Sequence, residues 1–286
     1  MSLLWFKFST FIPMEKSLHY SLLQAALAGV VEASSEVMAI YRESFSPKFK
    51  TDGSPVTAAD LASNTVLEKH LGETGLPVLT EESIHAPFEE RSKWALYWCV
   101  DPLDGTKEFI KRNDEFAINI ALIENKQAVL GIVASPVEQT ALIGGKFVPP
   151  AIVHFDQIGN IDNWEFIEPK PFPNNPVVIA GSRTPHSGAS LEYINQLKTT
   201  YGDLAFLKKG SALKFFDLAL GTADLYPRFA PTMEWDIAAG QAIIEALGGT
   251  VTHAISGEPL HYNKASLFNP HFVVTSYALL QTDANG

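Results

Sequence analysis

The chain has 286 residues, 46% apolar and 19% charged, proportions that exclude disordered, fibrous and disulfide-stapled small-domain classes. Its formal charge of -11, from 32 acidic against 21 basic residues, repels nucleic-acid polymers and anionic membrane surfaces at long range. A small anionic substrate is compatible only where a bound divalent cation reverses the local field. The one cysteine, Cys99, cannot form an intrachain disulfide and favours a reducing compartment, with the cytoplasm as default.

The opening MSLLWFKFSTFIPMEK is apolar but lacks a basic leading segment and a small-residue cleavage pattern, so no signal peptide is predicted. Met14 is an alternative start, and peripheral association of the apolar opening with the inner membrane is the alternative to a purely cytoplasmic location. No window reaches about 18 uninterrupted apolar residues, so no transmembrane helix is predicted. From Glu15 to Tyr41, Leu18, Leu22, Ala26, Val30, Ala33, Val37 and Tyr41 recur at three- and four-residue spacings, one face of an amphipathic helix. A second helix is predicted over Pro55 to His70, with Thr57 as N-cap, Asp60 in the capping-box position, and Gly72 and Gly75 ending it. Strand-like runs follow at Pro77–Glu82, Leu96–Asp101, Phe116–Ile123, Ala128–Val137 and Thr140–Gly145, which predict an antiparallel sheet. Beyond KPFPNNP the rhythm alternates between strand and helix up to FVVTS, as in a layered α/β unit. The expected division is an α+β half over residues 1–173 and an α/β half over 174–286.

The most informative segment is WCVDPLDGTKEFI, where Asp101 and Asp104 stand three residues apart at the end of an apolar strand. A carboxylate leaves water only when paired or metal-bound, and hard cations such as Mg²⁺ take oxygen ligands, one or two of them carboxylates. The competing reading of Asp104-Gly105 is a hairpin turn. A rival chemistry is the aspartyl-nucleophile phosphatase, whose signature also ends in DGT but spaces its carboxylates two apart. Glu81 and Glu82 end the strand PVLTEE and point to opposite faces, so only one can join Asp101; Glu81 is the choice. Asp236, in EWDIAAG, falls in the first turn of a predicted helix, where an acidic residue also complements the helix dipole. Trp235 is expected in the core. The Gly- and Ala-rich helix start is a place where backbone and ligand could approach closely.

TEES, DPLDGTKEFI, SALKFFDLALGTADLYPRF and EWDIAAG together resemble the motifs of the lithium-sensitive, magnesium-dependent inositol monophosphatase superfamily. Within it the chain is most similar to the 3'(2'),5'-bisphosphate nucleotidases of sulfate assimilation. The resemblance runs from about Gly53 to residue 274. It implies a layered α-β-α-β-α sandwich of the inositol monophosphatase/fructose-1,6-bisphosphatase type, with the site between the α+β and α/β halves. It implies two or three Mg²⁺ ions held by Glu81, Asp101, Asp104, Asp236 and the carbonyl of Leu103, with Asp60 and Thr106 orienting and deprotonating the attacking water. The same residues Glu81, Leu103, Asp104, Gly105, Thr106 and Asp236 would meet the substrate, joined by Ser182, His186 and Lys214. An extra Pro185 before His186 departs from the more usual SRSH pattern. For Lys214 the competing reading is a solvated helix residue, and for Arg228 a strand-edge charge.

The function expected on this basis is hydrolysis of the 3'-phosphate of 3'-phosphoadenosine 5'-phosphate to AMP and phosphate. The alternatives are an inositol monophosphatase or other sugar-phosphate phosphatase, and a non-catalytic metal- and nucleotide-binding module. No G-x-S-x-G elbow surrounds Ser182, which sets a serine-hydrolase triad aside. Cys99 reads as a buried thiol. His19, His70, His85, His253, His261 and His271 show no zinc-ligand spacing and read as surface or structural.

Overall fold

A computed structural model of the chain describes residues 18–44, 48–49, 55–181 and 188–283. The opening segment with Met14, and the predicted contacts Ser182 and His186, lie outside the described residues. The first helix, α1 (Leu18–Arg42), is long and apolar enough by length and composition alone to cross a membrane. One face of it, including Leu23, Leu27, Val30 and Val37, is buried in a core, as the periodicity requires. Short strands β1 (Lys48–Phe49) and β2 (Pro55–Val56) pair antiparallel. Pro55 and Val56 are therefore extended, and the second helix, α2 (Ala58–Gly72), begins three residues later than predicted, behind its Thr57 cap.

Next come β3 (Val78–Thr80), α3 (Phe88–Arg91), β4 (Leu96–Asp104), α4 (Thr106–Lys111), β5 (Ala117–Glu124), β6 (Gln127–Ser135), β7 (Thr140–Gly145), β8 (Val148–His154) and β9 (Glu165–Phe166). Among the described residues, β3 to β9 form a seven-stranded sheet in sequence order. It is antiparallel as predicted except at one edge, where β3 runs parallel to β4. Strand β5 shows why this region reads as a continuous apolar run. Ile118, Ile120 and Leu122 enter the core under α1 and α2, while Ala117, Ala121 and Ile123 enter the core on the opposite face, as alternation across a sheet covered on both sides demands.

The remainder comprises β10 (Val177–Gly181), α5 (Ala189–Tyr201), β11 (Leu204–Lys208), α6 (Lys214–Ala219), β12 (Leu225–Arg228), α7 (Ala238–Ala246), β13 (Thr250–His253), β14 (Phe272–Thr275) and α8 (Tyr277–Asp283). Five strands form a mixed sheet in the order β11-β10-β12-β14-β13. One face packs with α5 and α8 through Ile194, Leu197 and Leu279. The other shares a core with α6, α7 and the seven-stranded sheet, uniting Phe215, Ile243, Val274, Ala121 and Leu142. The layers run α1/α2, sheet, α6/α7, sheet, α5/α8, the expected α-β-α-β-α sandwich.

The small residues opening α7 serve this layering. A Cβ at Gly131 of β6 would lie 1.9 Å from the Ala239 carbonyl oxygen, and one at Gly240 would meet the Phe215 ring at 2.3 Å. Sheet and helices therefore touch backbone to backbone, which fixes where α7 begins and hence where Asp236 stands. Gly131→Ala is expected to lower unfolding free energy in urea by about 3 kcal/mol through overpacking. A midpoint equal to that of the parent would contradict this packing.

Candidate metal centre and active site

The site is assembled where β4 ends. Strand β4 pairs with β5 up to Asp101 opposite Asn119, and the register shifts between Asp101 and Asp104. Asp101, 2% exposed, accepts the Leu103 N–H through Oδ1 at 3.0 Å, which tightens the turn around Pro102. Gly105 has φ +94°, and a Cβ there would press on the Glu115 carbonyl oxygen at 3.0 Å and the Ser211 side chain at 3.1 Å. Glycine is thus required, and it leads into α4 instead of the return strand of a hairpin, which removes the turn reading of Asp104-Gly105.

Two further segments converge here. The Glu81 N–H donates to the Val100 carbonyl at 3.2 Å, which carries the β3–β4 pairing one residue beyond the strand and sets Glu81 beside Asp101. Asp236 closes a 3-10 turn, Glu234–Asp236, and accepts the Met233 N–H at 2.8 Å through Oδ2. Carboxylate oxygens of Glu81, Asp101 and Asp236 lie within 4.8 Å of one another. Glu81, not Glu82, joins the group; both lie in the turn after β3, which ends at Thr80 and not at the predicted Glu82, so strand alternation does not account for the choice. Asp104 stands beside this group and is not part of it: its Oδ2 accepts the Ala212 N–H at 2.5 Å and lies 3.5 Å from the Asn119 amide. The Leu103 carbonyl is 3.4 Å from the Thr106 hydroxyl.

Burial raises the carboxyl pKa of Asp101 well above its ordinary value, and repulsion from Glu81, Asp104 and Asp236 adds to the rise. Asp236 is raised in the same way, by burial first and then by Asp104 and Glu81. For Asp104 burial again raises the pKa, opposed by Lys214 and the Ala212 N–H. Positive charge placed among these carboxylates would relieve the crowding felt by Asp101 and Asp236, and an all-oxygen donor set suits a hard divalent cation.

Asp60 fills the capping role read for it and also reaches Thr106. Its Oδ2 accepts the Thr57 N–H at 2.7 Å and the Thr57 hydroxyl at 2.6 Å, closing the capping box, while Oδ1 accepts the Thr106 hydroxyl at 3.0 Å. Burial pushes the Asp60 carboxyl up, against the pull of these hydrogen bonds.

A cavity of about 560 Å³ opens beside Asp104 and Asp236, with Gly105, Lys107, Lys214 and Arg228 also in its wall. Lys214 is buried, not solvated. Its Nζ donates to the carbonyls of Ser211 at 2.5 Å and Lys209 at 3.2 Å, and burial lowers its pKa to about 8 although Asp104 opposes the change. Arg228 ends β12, paired with Phe272 of β14, while β12 meets β10 only at Leu225. Cys99 and Trp235 are buried as expected. Three residues near the site escaped sequence reasoning. Asn119 is buried opposite Asp101. Glu234 is 0% exposed two residues before Asp236. His85 donates to the Thr80 carbonyl at 2.8 Å and stacks its ring 5.3 Å from Trp235. Only the acidic run Glu-Trp-Asp offered a signal for Glu234.

The inositol monophosphatase family model matches residues 21–281. The 3'(2'),5'-bisphosphate nucleotidase CysQ of Salmonella typhimurium is 43% identical over 231 residues, 80% of this chain and 88% of that protein. The protein of the same name from Haemophilus influenzae is 31% identical over 90% of this chain and 94% of its own length. Among solved structures, CysQ from Bacteroides thetaiotaomicron, described as a bacterial member of the inositol monophosphatase family, superposes with a TM-score of 0.79 at 37% identity, covering 90% of this chain and 97% of that one.

Raised carboxyl groups make the metal-free protein's stability fall with pH. A group whose folded pKa exceeds its unfolded value binds more protons when folded, so its contribution is complete below the unfolded pKa and lost as pH rises through the folded one. Metal-free Asp101→Asn is therefore expected to melt higher than the metal-free parent at pH 7, an advantage that disappears near pH 4. Saturating Mg²⁺ raises the parent by about 2.7 kcal/mol at a hundred times Kd and leaves the variant behind. Identical melting of the parent with and without Mg²⁺ would contradict the assignment.

Proposed function

Because the chain belongs to the inositol monophosphatase family, we propose that it is a 3'(2'),5'-bisphosphate nucleotidase that removes the 3'-phosphate of 3'-phosphoadenosine 5'-phosphate, releasing AMP and phosphate. The observation that carries this reading is the carboxylate group of Glu81, Asp101 and Asp236 beside a cavity whose wall also bears Lys107, Lys214 and Arg228. The acidic residues suit cations, and the basic residues suit the second phosphate of a bisphosphate. The likeness to CysQ proteins supports the nucleotide over other phosphate esters.

Glu81, Asp101 and Asp236 would hold Mg²⁺, with Asp104 and the Leu103 carbonyl completing two or three ion positions. When bound, the metal supplies Lewis-acid neutralisation of phosphoryl charge and a lowered pKa for coordinated water. The chain's own part is positioning and proton management, the main tasks in phosphoryl transfer. With Asp60 Oδ2 engaged by Thr57, Oδ1 receives the Thr106 hydroxyl proton, so the Thr106 oxygen presents a lone pair to water. A water donating there has its oxygen aimed for attack on phosphorus, and its proton passes through Thr106 towards Asp60. Burial, which raises the Asp60 proton affinity, makes it the better acceptor. The ester P–O bond breaks as the water oxygen bonds phosphorus, and the ribose 3'-oxygen leaves with a proton from solvent. Gly105 and Thr106 N–H groups, opening α4, receive phosphate oxygens, and Ser182, His186 and Lys214 contribute to nucleotide binding. The anionic surface and the single buried Cys99 support a cytoplasmic site of action, where the enzyme clears a by-product of sulfation.

Phosphate release from 3'-phosphoadenosine 5'-phosphate, inositol 1-phosphate and fructose 1,6-bisphosphate, measured with Mg²⁺ and with added Li⁺, tests the assignment. The nucleotide is expected to have the highest kcat/KM, with inhibition by Li⁺; preference for inositol 1-phosphate would overturn it, and no release from any would indicate a binding module. Asp60→Asn is expected to lower kcat by about 10²- to 10⁴-fold, as for loss of a general base, with little change in KM. Unchanged kcat would remove Asp60 from the mechanism.

A further inference from the structure

Glu81 and Asp236 belong to segments more than a hundred residues apart, yet a polar relay ties the turn that ends in Asp236 to α3, the helix that follows Glu81 in the chain. Glu234 is 0% exposed, and its carboxylate accepts the Asn263 N–H at 2.6 Å through Oε2 and the Lys264 N–H at 3.0 Å and ammonium at 2.6 Å through Oε1. The Glu234 N–H in turn donates to the Leu267 carbonyl at 3.0 Å. The 3-10 turn that ends in Asp236 is thus clamped to residues 263–267. That segment is held in the left-handed region at Asn263, φ 60°. From there the relay crosses to the segment that follows Glu81. The Asn263 side chain accepts from the Arg91 guanidinium at 2.7 Å and donates to the Arg91 carbonyl at 2.5 Å, and Arg91 also donates to the Ala265 carbonyl at 2.9 Å. Arg91, 4% exposed, terminates α3. His85, between Glu81 and α3, adds a second tie through its ring contact with Trp235.

We propose that Glu234 is a positioning residue for the metal-binding carboxylates, fixing the Asp236 turn against the Glu81 segment through Asn263, Lys264 and Arg91. The inference rests on the metal-binding reading of Glu81, Asp101 and Asp236. A buried carboxylate with three donors is costly to disturb, because removing its charge leaves Lys264 without its partner and two N–H groups with a weaker acceptor. Its interactions end on backbone and side-chain groups of the relay and not on substrate. The consequence for function is therefore geometric. When the relay loosens, the three ligand carboxylates lose their fixed separation, and groups that orient metal ligands characteristically influence affinity this way.

Glu234→Gln preserves size and one acceptor oxygen. Calorimetric titration of the metal-free variant with Mg²⁺ at 25 °C is expected to show affinity about tenfold weaker than the parent, in line with loss of an outer-shell partner. Activity is expected to need correspondingly more Mg²⁺, while kcat at saturation stays within about threefold of the parent, since no group in contact with the reacting atoms has changed. Lys264→Gln, altering the partly exposed end of the relay, shifts affinity in the same direction by a smaller factor and serves should Glu234→Gln not fold. Leu279→Ala, in the separate apolar cluster under α8, lowers melting temperature but leaves Mg²⁺ affinity unchanged, which separates positioning from general stability. Parent-like Mg²⁺ affinity in folded Glu234→Gln, or in Lys264→Gln if that alone folds, would overturn the relay while leaving the metal reading intact. Absence of Mg²⁺ binding by the parent itself would overturn the metal reading and the relay together.

Discussion

Mutual repulsion among Glu81, Asp101 and Asp236 is the constraint around which the molecule is organised. At an effective dielectric near 20 and about 5 Å, each pair of full charges repels by about 3 kcal/mol, and three pairs by about 10 kcal/mol. That is comparable to the whole net stability of a typical domain, about 5–15 kcal/mol, so full ionisation without a counter-charge is not sustainable. The arrangement is held by structure remote from the carboxylates. Asp101 hangs on a strand whose sheet is buried on both faces, and Glu81 directly follows the parallel strand beside it. Asp236 hangs on a turn fixed by Trp235 in the core and by the backbone contact of α7 with Gly131. Each ligand's position is thus supported by apolar burial, which does not change when a cation arrives.

The same logic reconciles an anionic protein with an anionic substrate. The acidic group suits cations, and the wall of the neighbouring cavity also carries Lys107, Lys214 and Arg228. Lys214 is held by backbone carbonyls alongside Asp104. Asp104 and Glu115 accept the N–H groups of Ala212 and Gly210 at 2.5 and 2.9 Å, tying the segment before α6 to the α4 region. On the proposed reading, the nucleotide-facing segment is thereby joined directly to Asp104, beside the carboxylate group.

Much of this was legible in the chain because local chemistry determines it. The three-and-four spacing of α1 and the Thr57–Asp60 capping box both depend on neighbours within a turn or two. What escaped depends on pairing partners that sequence does not name. The parallel β3–β4 edge requires knowing that the chain returns through α3, and β8 was hidden by Pro149 and Pro150, which argue against a strand until its place near the sheet edge is seen. Asn119 is one polar residue in the run FAINIALI, and its meaning comes only from Asp101 across the ladder. Glu234 similarly gains its role from residues 263 and 264. The small residues of EWDIAAG carried a true signal of close approach, but the approaching group is the sheet and Phe215.

The central claim is that these carboxylates cage a divalent cation. A crystal structure of the protein grown in Mg²⁺ and refined at high resolution tests it most directly. The account predicts an octahedral density feature about 2.0–2.1 Å from oxygens of Glu81, Asp101 and Asp236, the separation magnesium demands. Well-ordered carboxylates turned away from one another, with only water between them at saturating Mg²⁺, would contradict it.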